Sequence, residues 1–421
     1  MSSPALKSLQ AAFDAKPNAT ASQRSAFAAF LAAGLPTSKQ DAWKYTDLRR
    51  FALKQFKPAN SSELSAADSA ALMPLAQAHR LVFVNGVLQP NPSASTDLKI
   101  EIDSSGNAAS VTTPITGNDS FGLLNAALAS EVVRVNVADN SHLQAPIYVA
   151  HVWNSPGAEM RHPRIVLSLG SHSNATFIEH FVSVQAGEAK FTNSQLEIHC
   201  GTGASLNHLR VQEDAEVNFD IGSLNATVQA HACYANYQFA VGSTLSRQSI
   251  NVHLAGNEAR TELHGLIFAQ HTQHLDVRTC IYHDVPNTQS REDYRGIADQ
   301  RGRVVFNGKV IVAKDAQRTD ATQSSRNLLL SPQAEIDTRP ELEIYANDVK
   351  CAHGATVGQL DATALFYLQS RGIGEHEARS LLTHAFAAEV IERVPDVTVR
   401  KRVLDRLLQR MHSPIISEAT L

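Results

Sequence analysis

The feature that most constrains this sequence is a stretch of nearly 200 residues, from 147 to 345, with apolar side chains at alternate positions. Residues 195–200 and 249–254 are examples, because every second residue in them is apolar. A period of two is that of a β-strand, whose successive side chains point to opposite faces. No helical pattern of ten or more residues separates these strands, which disfavours alternating βαβ units. The sequence therefore predicts an all-β middle domain, and the pattern leaves a sandwich, a jelly roll and a solenoid open.

Both ends of the chain have the 3.6-residue period of helices. Residues 6–13 and 27–31 are apolar at helical spacing, and Gly34 followed by Pro36 is typical of a helix end. After Gly358, three further apolar stripes predict three closing helices. We therefore predict four regions: an N-terminal helical region 1–80, connecting strands and loops 81–145, a β core 146–350, and C-terminal helices 351–421.

The connecting region contains two contrasting patterns. Residues 81–84, followed by Asn85-Gly86, are typical of a strand that enters a turn. Residues 90–120 are rich in Ser, Asn, Thr and Gly, and we expect loops there.

Composition narrows the class of protein. The 421 residues carry a formal net charge of −4, whereas nucleic-acid binding needs clustered basic charge, so we expect no nucleic-acid partner. The four cysteines are far apart and form no CxxC pair, which is typical of a reducing compartment. We find no secretory pattern at Met1–Phe13 and no stretch of about 18 apolar residues, so we expect a soluble cytoplasmic protein without membrane contact.

The densest group of candidate metal ligands follows the spacing H-x₂-H-x₅-C-x₂-H, and its members are His271, His274, Cys280 and His283. In a strand, the first and last of these residues would face the core, and the other two would face the opposite side. Four ligands divided between two faces cannot surround one ion. We therefore expect histidines with structural hydrogen bonds instead of a metal site.

A second motif, Gly302–Lys309, superficially looks like a phosphate-binding loop. Five residues separate its glycines instead of four, and Val310 stands where Ser or Thr would bind Mg²⁺. We expect instead a hairpin or bent strand that turns at Asn307-Gly308.

Two charged groups also have simple interpretations. Glu292 and Asp293, with Arg291 and Asp299 nearby, could be the carboxylates of a polysaccharide hydrolase. Adjacent residues of a strand face opposite sides, however, so we expect an exposed turn here. The last helix has a basic face that we expect to be solvated, formed by Arg400, Lys401, Arg402, Arg406 and Arg410.

The most informative pair is Cys351 and His353. Residues i and i+2 of an extended chain lie on one face, so a sulfur and an imidazole nitrogen would lie side by side. Two ligands are half of a site, and a buried cysteine beside a hydrogen-bonded histidine is the alternative. If the pair binds iron, zinc or sulfur, the remaining ligands should come from another chain.

Residues 340–358 (PELEIYANDVKCAHGATVG) and 365–372 (LFYLQSRG) closely resemble the SufB/SufD family of the Suf iron–sulfur cluster assembly system. Other segments match the same family, namely Gly34–Thr37, Trp43–Leu48, Val305–Lys309, Asp315–Gln317 and Asn327–Leu330. The resemblance spans essentially the whole chain. His353-Gly354-Ala355 stands where the SufB branch tends to have His-Glu-Ala, which favours the SufD branch.

The resemblance implies a mainly β fold, with a right-handed parallel β-helix core between N-terminal and C-terminal α-helical regions. It implies a non-catalytic scaffold subunit that pairs with SufB through the β-helix. It also implies that the C-terminal helices dock the ATPase SufC. The implied role is to assemble nascent iron–sulfur clusters and to support iron acquisition. No catalytic residue and no enzymatic activity are expected.

The same resemblance implies that His353, and less securely Cys351, binds iron or a nascent cluster shared with SufB. This chain alone is expected to hold no cofactor tightly. A homodimer of the isolated chain and a flavin contact are left open, although no Gly-rich dinucleotide fingerprint occurs. Two alternatives stand: a β-helical carbohydrate-active enzyme, and a purely structural scaffold in which Cys351 and His353 only pack.

Overall fold

The computed structural model describes residues 3–60, 62–75, 77–90, 95–104 and 119–411. The helices are α1 (Pro4–Asp14), α2 (Ala21–Ala33), a 3₁₀ turn (Asp41–Trp43), α3 (Arg49–Ala52), α4 (Ala66–Ser69), α5 (Ser120–Leu128), α6 (Ala362–Ser370), α7 (Glu375–Ile391) and α8 (Val397–Arg410). The first strands are β1 (Lys57–Pro58), β2 (His79–Val84), β3 (Val87–Leu88), β4 (Leu98–Asp103), β5 (Val132–Val137), β6 (Ile147–Trp153), β7 (Glu159–Arg161), β8 (Arg164–Leu169), β9 (Asn174–Ser183), β10 (Phe191–Cys200) and β11 (Ser205–Gln212). The later strands are β12 (Phe219–Val228), β13 (Cys233–Ala240), β14 (Leu245–Leu254), β15 (Arg260–Ala269), β16 (His274–His283), β17 (Gln289–Ala298), β18 (Arg303–Val312), β19 (Thr319–Leu329), β20 (Glu335–Ile344) and β21 (Val349–Gly358).

The strands from β5 onward form a parallel β-solenoid of about eight turns. Successive strands enter two sheets alternately, so that β18 pairs with β16 and β20, whereas β19 pairs with β17 and β21. The pairing is in register; for example, ten consecutive residues of β14 lie beside ten of β16. The predicted mainly β fold with a parallel β-helix core and helical ends is confirmed.

The alternating sequence determines which side chains fill the interior of the solenoid. In β16, Leu275, Val277 and Ile281 point inward and are at most 1% exposed. Parallel strands in register place these side chains above those of the preceding turn, so that apolar columns run along the axis. Burial of this surface contributes about 25 cal/mol per Å².

The turn predicted at Asn307-Gly308 is wrong, because β18 continues straight through both residues. It pairs in register with β16 on one side and β20 on the other. Gly308 is required for a packing reason: a Cβ at this position would collide with Nε2 of Gln323 inside the solenoid.

The N-terminal region is fastened to the outer surface of the solenoid. The Arg247 guanidinium lies 4.0 Å from the centre of the Trp43 ring and donates a 2.7 Å hydrogen bond to the carbonyl of Ala42. Thr46 donates to Asp276 at 2.5 Å. These contacts give a structural reason for the tryptophan and threonine of the 43–48 segment.

Two predicted boundaries differ from the structure. The boundary between residues 350 and 351 falls inside β21, which continues to Gly358, so the closing helices begin only at Ala362. The region predicted as loops contains β4, whereas residues 91–94 and 105–118 lie outside the described residues. In the described part of the chain, no helix is both long and apolar enough to cross a membrane.

Candidate functional site

The last turn of the solenoid has strands with a free edge. Within the described residues, β20 pairs only with β18, and β21 pairs only with β19. Each of these strands has ten residues, so the two outer edges present rows of unpaired backbone N–H and C=O groups. Such an edge can accept strands of another chain.

Cys351 and His353 lie on this terminal strand. Cys351 is in register with Ala321, which is buried in the interior, and Cys351 packs against the same apolar cluster. His353 is in register with Gln323, which is 1% exposed. Since residues i and i+2 share a face, both side chains belong to the interior face of the last turn, and no further turn of the described residues covers them. Cys351 is half-buried, and His353 is exposed.

The two side chains differ as ligands. Burial raises the pKa of the Cys351 thiol, so the thiol must lose its proton before its sulfur can bind a metal. His353 offers an imidazole that reaches solvent. Among the residues that the structure describes, no three His, Cys, Asp or Glu side chains are grouped so that they could hold a metal ion. The pair therefore offers two candidate ligands, whereas an iron–sulfur cluster or zinc site takes four.

Directly below His353, polar side chains continue into the interior. Gln323 donates a hydrogen bond from Nε2 to Oε2 of Glu292 at 2.5 Å, and Glu292 is 3% exposed. Burial raises the pKa of Glu292 to about 7, and the neighbouring Thr279 hydroxyl and Gln323 amide oppose this shift only in part. Sequence analysis overlooked Gln323, because a glutamine has no signal of its own without the register.

The exposed turn predicted around Glu292 and Asp293 is wrong, because both residues are buried in β17. Their predicted placement on opposite faces is correct. Asp293 faces outward, where Arg326 and Arg393 approach its carboxylate at 3.4 and 3.3 Å. The two carboxylates are thus divided by the sheet and share no cleft, as a hydrolase pair would have to.

The members of the apparent metal motif are separated. His283 is buried in the interior and contacts the hydroxyls of Thr288 and Ser290 at 2.7 and 2.9 Å. His274 contacts the hydroxyl of Thr46 at 3.0 Å, and His271 contacts Glu216 at 2.8 Å. Burial lowers the pKa of His274 and of His283 to about 4 in each case. The contacts agree with the structural role predicted for these histidines. The prediction that His271 faces the core is wrong, because His271 lies in an exposed turn before β16 begins.

The sequence predicted that the basic face of α8 is merely solvated, and this prediction is wrong. Arg402 and Arg406 bind the carboxylate of Glu213, whose side chain is 0% exposed, and Arg410 binds Glu216 at 3.0 Å. Burial raises the pKa of Glu213, but hydrogen bonds from His180 and Arg402 outweigh this and lower it to about 2. The arginines therefore hold the last helix on the solenoid.

Helix α6 presents an apolar surface to solvent. None of its residues is buried, and Phe366 and Tyr367 are 71% and 57% exposed. Two adjacent exposed aromatic side chains make this short helix a candidate interaction surface. The helix was predicted from periodicity, but its exposure was not.

Comparisons with known proteins place this geometry in context. The family described as "SUF system FeS cluster assembly, SufBD core domain" matches residues 149–386. The chain is 32% identical over 389 residues to a protein of Escherichia coli (strain K12) named iron-sulfur cluster assembly protein SufD, with 90% of each chain covered. It is 31% identical to the SufBD family protein slr0076 of Synechocystis, with 88% of this chain and 86% of that one covered. It is 28% identical to the chloroplastic protein ABCI7 of Arabidopsis thaliana, with 87% and 80% covered.

Proposed function

Because this chain belongs to the SufBD family of the SUF iron–sulfur cluster assembly system, we propose that it is a non-catalytic scaffold subunit of that system. In this proposal it pairs with SufB, docks the ATPase SufC and supports iron acquisition. The observation that carries the proposal is the position of Cys351 and His353 side by side on the strand where the solenoid ends. Half of a ligand set at an open edge is suited to a site completed by a second subunit.

The edge strands support pairing with SufB. β20 and β21 are long and lack outer neighbours within the described residues. A related solenoid that placed its own last strands alongside would satisfy the exposed backbone groups and continue both sheets. Ligands from that subunit would then lie next to Cys351 and His353.

The chemistry of the pair supports iron or a nascent cluster as cargo. Thiolate and imidazole are both ligands of iron–sulfur clusters. His353 is the stronger candidate, because it reaches solvent whereas burial keeps Cys351 protonated. Any cargo would be held jointly, so this chain alone would hold none tightly.

Helix α6 supports SufC docking. Its aromatic side chains Phe366 and Tyr367 are exposed, and the helix lies only a few residues after β21. A closure of bound SufC subunits that moved α6 would therefore pull on the strand that carries His353. ATP hydrolysis on the partner could reach the proposed cluster site through this short connection.

The carbohydrate-active alternative finds little support, since Glu292 and Asp293 lie on opposite faces of β17. The purely structural scaffold is the serious alternative. In it, His353 only packs and a variant without the imidazole assembles clusters normally.

The test is co-purification of this chain with SufB and SufC of its own organism, followed by anaerobic reconstitution with iron and sulfide. We expect His353→Ala to form the complex but to lose most visible cluster absorption, and Cys351→Ala to lose less. His142→Ala, at an exposed histidine near the start of the solenoid, is the matched control. Normal cluster absorption of His353→Ala within an intact complex would show that His353 is not a ligand and that the chain is a mechanical scaffold. Failure of the wild type to form a complex would contradict the assignment of partners.

A further inference from the structure

Gln323 is the interior neighbour of His353. The two residues are in register on adjacent parallel strands, so their Cβ atoms lie about 4.8 Å apart on the same face of the sheet. Cys351, in contrast, has Ala321 below it, which offers only a methyl group. Of the two proposed ligands, therefore, only His353 has a polar side chain beneath it.

The orientation of the Gln323 amide is fixed from below. Its Nε2 donates to the buried carboxylate of Glu292, which accepts but does not donate when ionised. Gly308 leaves the space that this contact occupies, because a Cβ there would collide with Nε2 and would lie 3.0 Å from Oε2 of Glu292. Above pH 7, where Glu292 is ionised, the amide therefore cannot turn around without placing its oxygen against a carboxylate.

Because Nε2 of Gln323 donates to Glu292, Oε1 is the end of the amide that can still form a hydrogen bond. Within the described part of the chain, Oε1 of Gln323 is buried and has no hydrogen-bond partner. A buried carbonyl oxygen without a partner costs about 1–3 kcal/mol. The adjacent position on the open side is His353, whose ring carries an N–H donor.

We propose that Gln323 is a positioning residue, which accepts a hydrogen bond from one ring nitrogen of His353 and so directs the other nitrogen out of the open end, and that Glu292 fixes the Gln323 amide for this purpose. The inference rests on the proposed role of His353 as a ligand. A neutral imidazole has one N–H and one lone pair, so an acceptor on one side selects the tautomer that binds metal on the other. The Glu292–Gln323–His353 series would be the outer shell of the shared site.

The first measurement is the ring ¹⁵N spectrum of His353 in the full chain, assigned by comparison with His353→Ala. In the wild type at pH 8, where Glu292 is ionised, we expect one protonated and one bare nitrogen, which is a single tautomer. Gln323→Leu should give two exchanging tautomers, and Glu292→Gln should give a mixture, because the amide can then turn. The matched control is Gln248→Leu, which removes another buried interior glutamine on the opposite sheet, and should leave the His353 signals unchanged.

A swapped pair separates positioning from simple packing. The double variant Glu292→Gln/Gln323→Glu exchanges the two groups. The amide at position 292 then donates to the carboxylate at position 323, and the second oxygen of that carboxylate again accepts from His353. We expect the single tautomer to return, although Gln323→Glu alone should disturb it by placing two carboxylates together. A packing role predicts no such rescue.

For the second measurement, each variant chain is assembled with SufB and SufC, and the complex is titrated anaerobically with Fe²⁺ alone. Loss of an outer-shell partner should weaken iron binding about 10-fold or more in Gln323→Leu. Exchanging tautomers in the wild type, or unchanged signals in Gln323→Leu, would overturn the inference even if His353→Ala abolishes cluster assembly. If the wild-type His353 ring is held in one tautomer but His353→Ala assembles clusters normally, the ligand role fails and the proposed hydrogen bond to Gln323 is only structural.

Discussion

Glu213 and Arg406 are 193 positions apart in the chain, yet Nε of Arg406 donates a 2.7 Å hydrogen bond to Oε2 of Glu213. The other oxygen of Glu213 accepts from His180 at 2.7 Å and from Arg402. One buried carboxylate thus joins the wall of the solenoid to the last helix. We expect Glu213→Ala to lower the free energy of unfolding by about 3 kcal/mol, because it leaves buried cationic donors without their partner. Urea denaturation measures this loss.

Glu216 supplies the control for this prediction. It also contacts α8, through Arg410, but its side chain is 42% exposed. Glu216→Ala should therefore cost no more than about 1 kcal/mol. Equal effects of the two substitutions would show that burial of Glu213 contributes nothing to the attachment of the helix.

The same carboxylate predicts a loss of stability in acid. The folded pKa of Glu213 is lowered from 4.5 to about 2, so its contribution is complete above the unfolded pKa and disappears as the pH falls through the folded one. The difference in unfolding free energy between wild type and Glu213→Gln should shrink between pH 4.5 and pH 2. A difference that stays constant over this range would contradict the assigned direction of the shift.

Much of this fold could be predicted from the sequence, because the solenoid repeats one local rule. Each strand needs apolar residues on its inner face, so residues 249–254 identify β14 without knowledge of its neighbours. The terminal strand was harder to delimit. Residues 349–358 form an edge, and an edge strand has little to bury, so its pattern is weak and the predicted boundary fell inside it.

The contacts that join distant segments could not be predicted. The arginines of α8 look solvated in sequence, because their partner Glu213 belongs to another domain of the chain. Glu292 was likewise assigned to an exposed turn, because adjacent residues of a strand face opposite sides, whereas the structure buries it in β17. By contrast, the shared face of Cys351 and His353 follows from their i, i+2 spacing alone, and the register confirms it.

Glu292 should affect stability in the direction opposite to Glu213. Its folded pKa is raised from 4.5 to about 7, so the folded state holds a proton that the unfolded state releases. The contribution of Glu292 to the unfolding free energy should therefore fall as the pH rises from 4.5 to 7, by an amount on the order of 3 kcal/mol. Glu292→Gln lacks this titrating proton. The unfolding free energy of the variant, relative to that of wild type, should therefore be higher at pH 8 than at pH 4.5. Urea midpoints at the two pH values measure the effect, and parallel pH profiles would contradict it.

A side chain at Gly308 should destabilise the protein. A Cβ would collide with Nε2 of Gln323. The backbone here is ordinary strand, so the cost of Gly308→Ala is that of overpacking, about 1–3 kcal/mol. Gly354 is the matched control in the terminal strand, where an added Cβ meets nothing within 4 Å. Gly354→Ala should leave the unfolding free energy within about 0.5 kcal/mol of wild type, and a similar loss in both variants would point to a general cost of alanine in these strands.

Helix α6 allows docking to be tested without loss of folding. Phe366 is 71% exposed, so Phe366→Ser should leave the unfolding free energy of the isolated chain nearly unchanged. If α6 is the SufC surface, the same substitution should weaken SufC binding in calorimetry by about 10-fold or more, because aromatic anchors carry most of the energy of such interfaces. Val397, an exposed apolar residue at the start of α8, is the control, and Val397→Ser should bind SufC normally. If Phe366→Ser also binds normally, SufC docks elsewhere, and α6 cannot be the direct connection from the ATPase to the strand that carries His353.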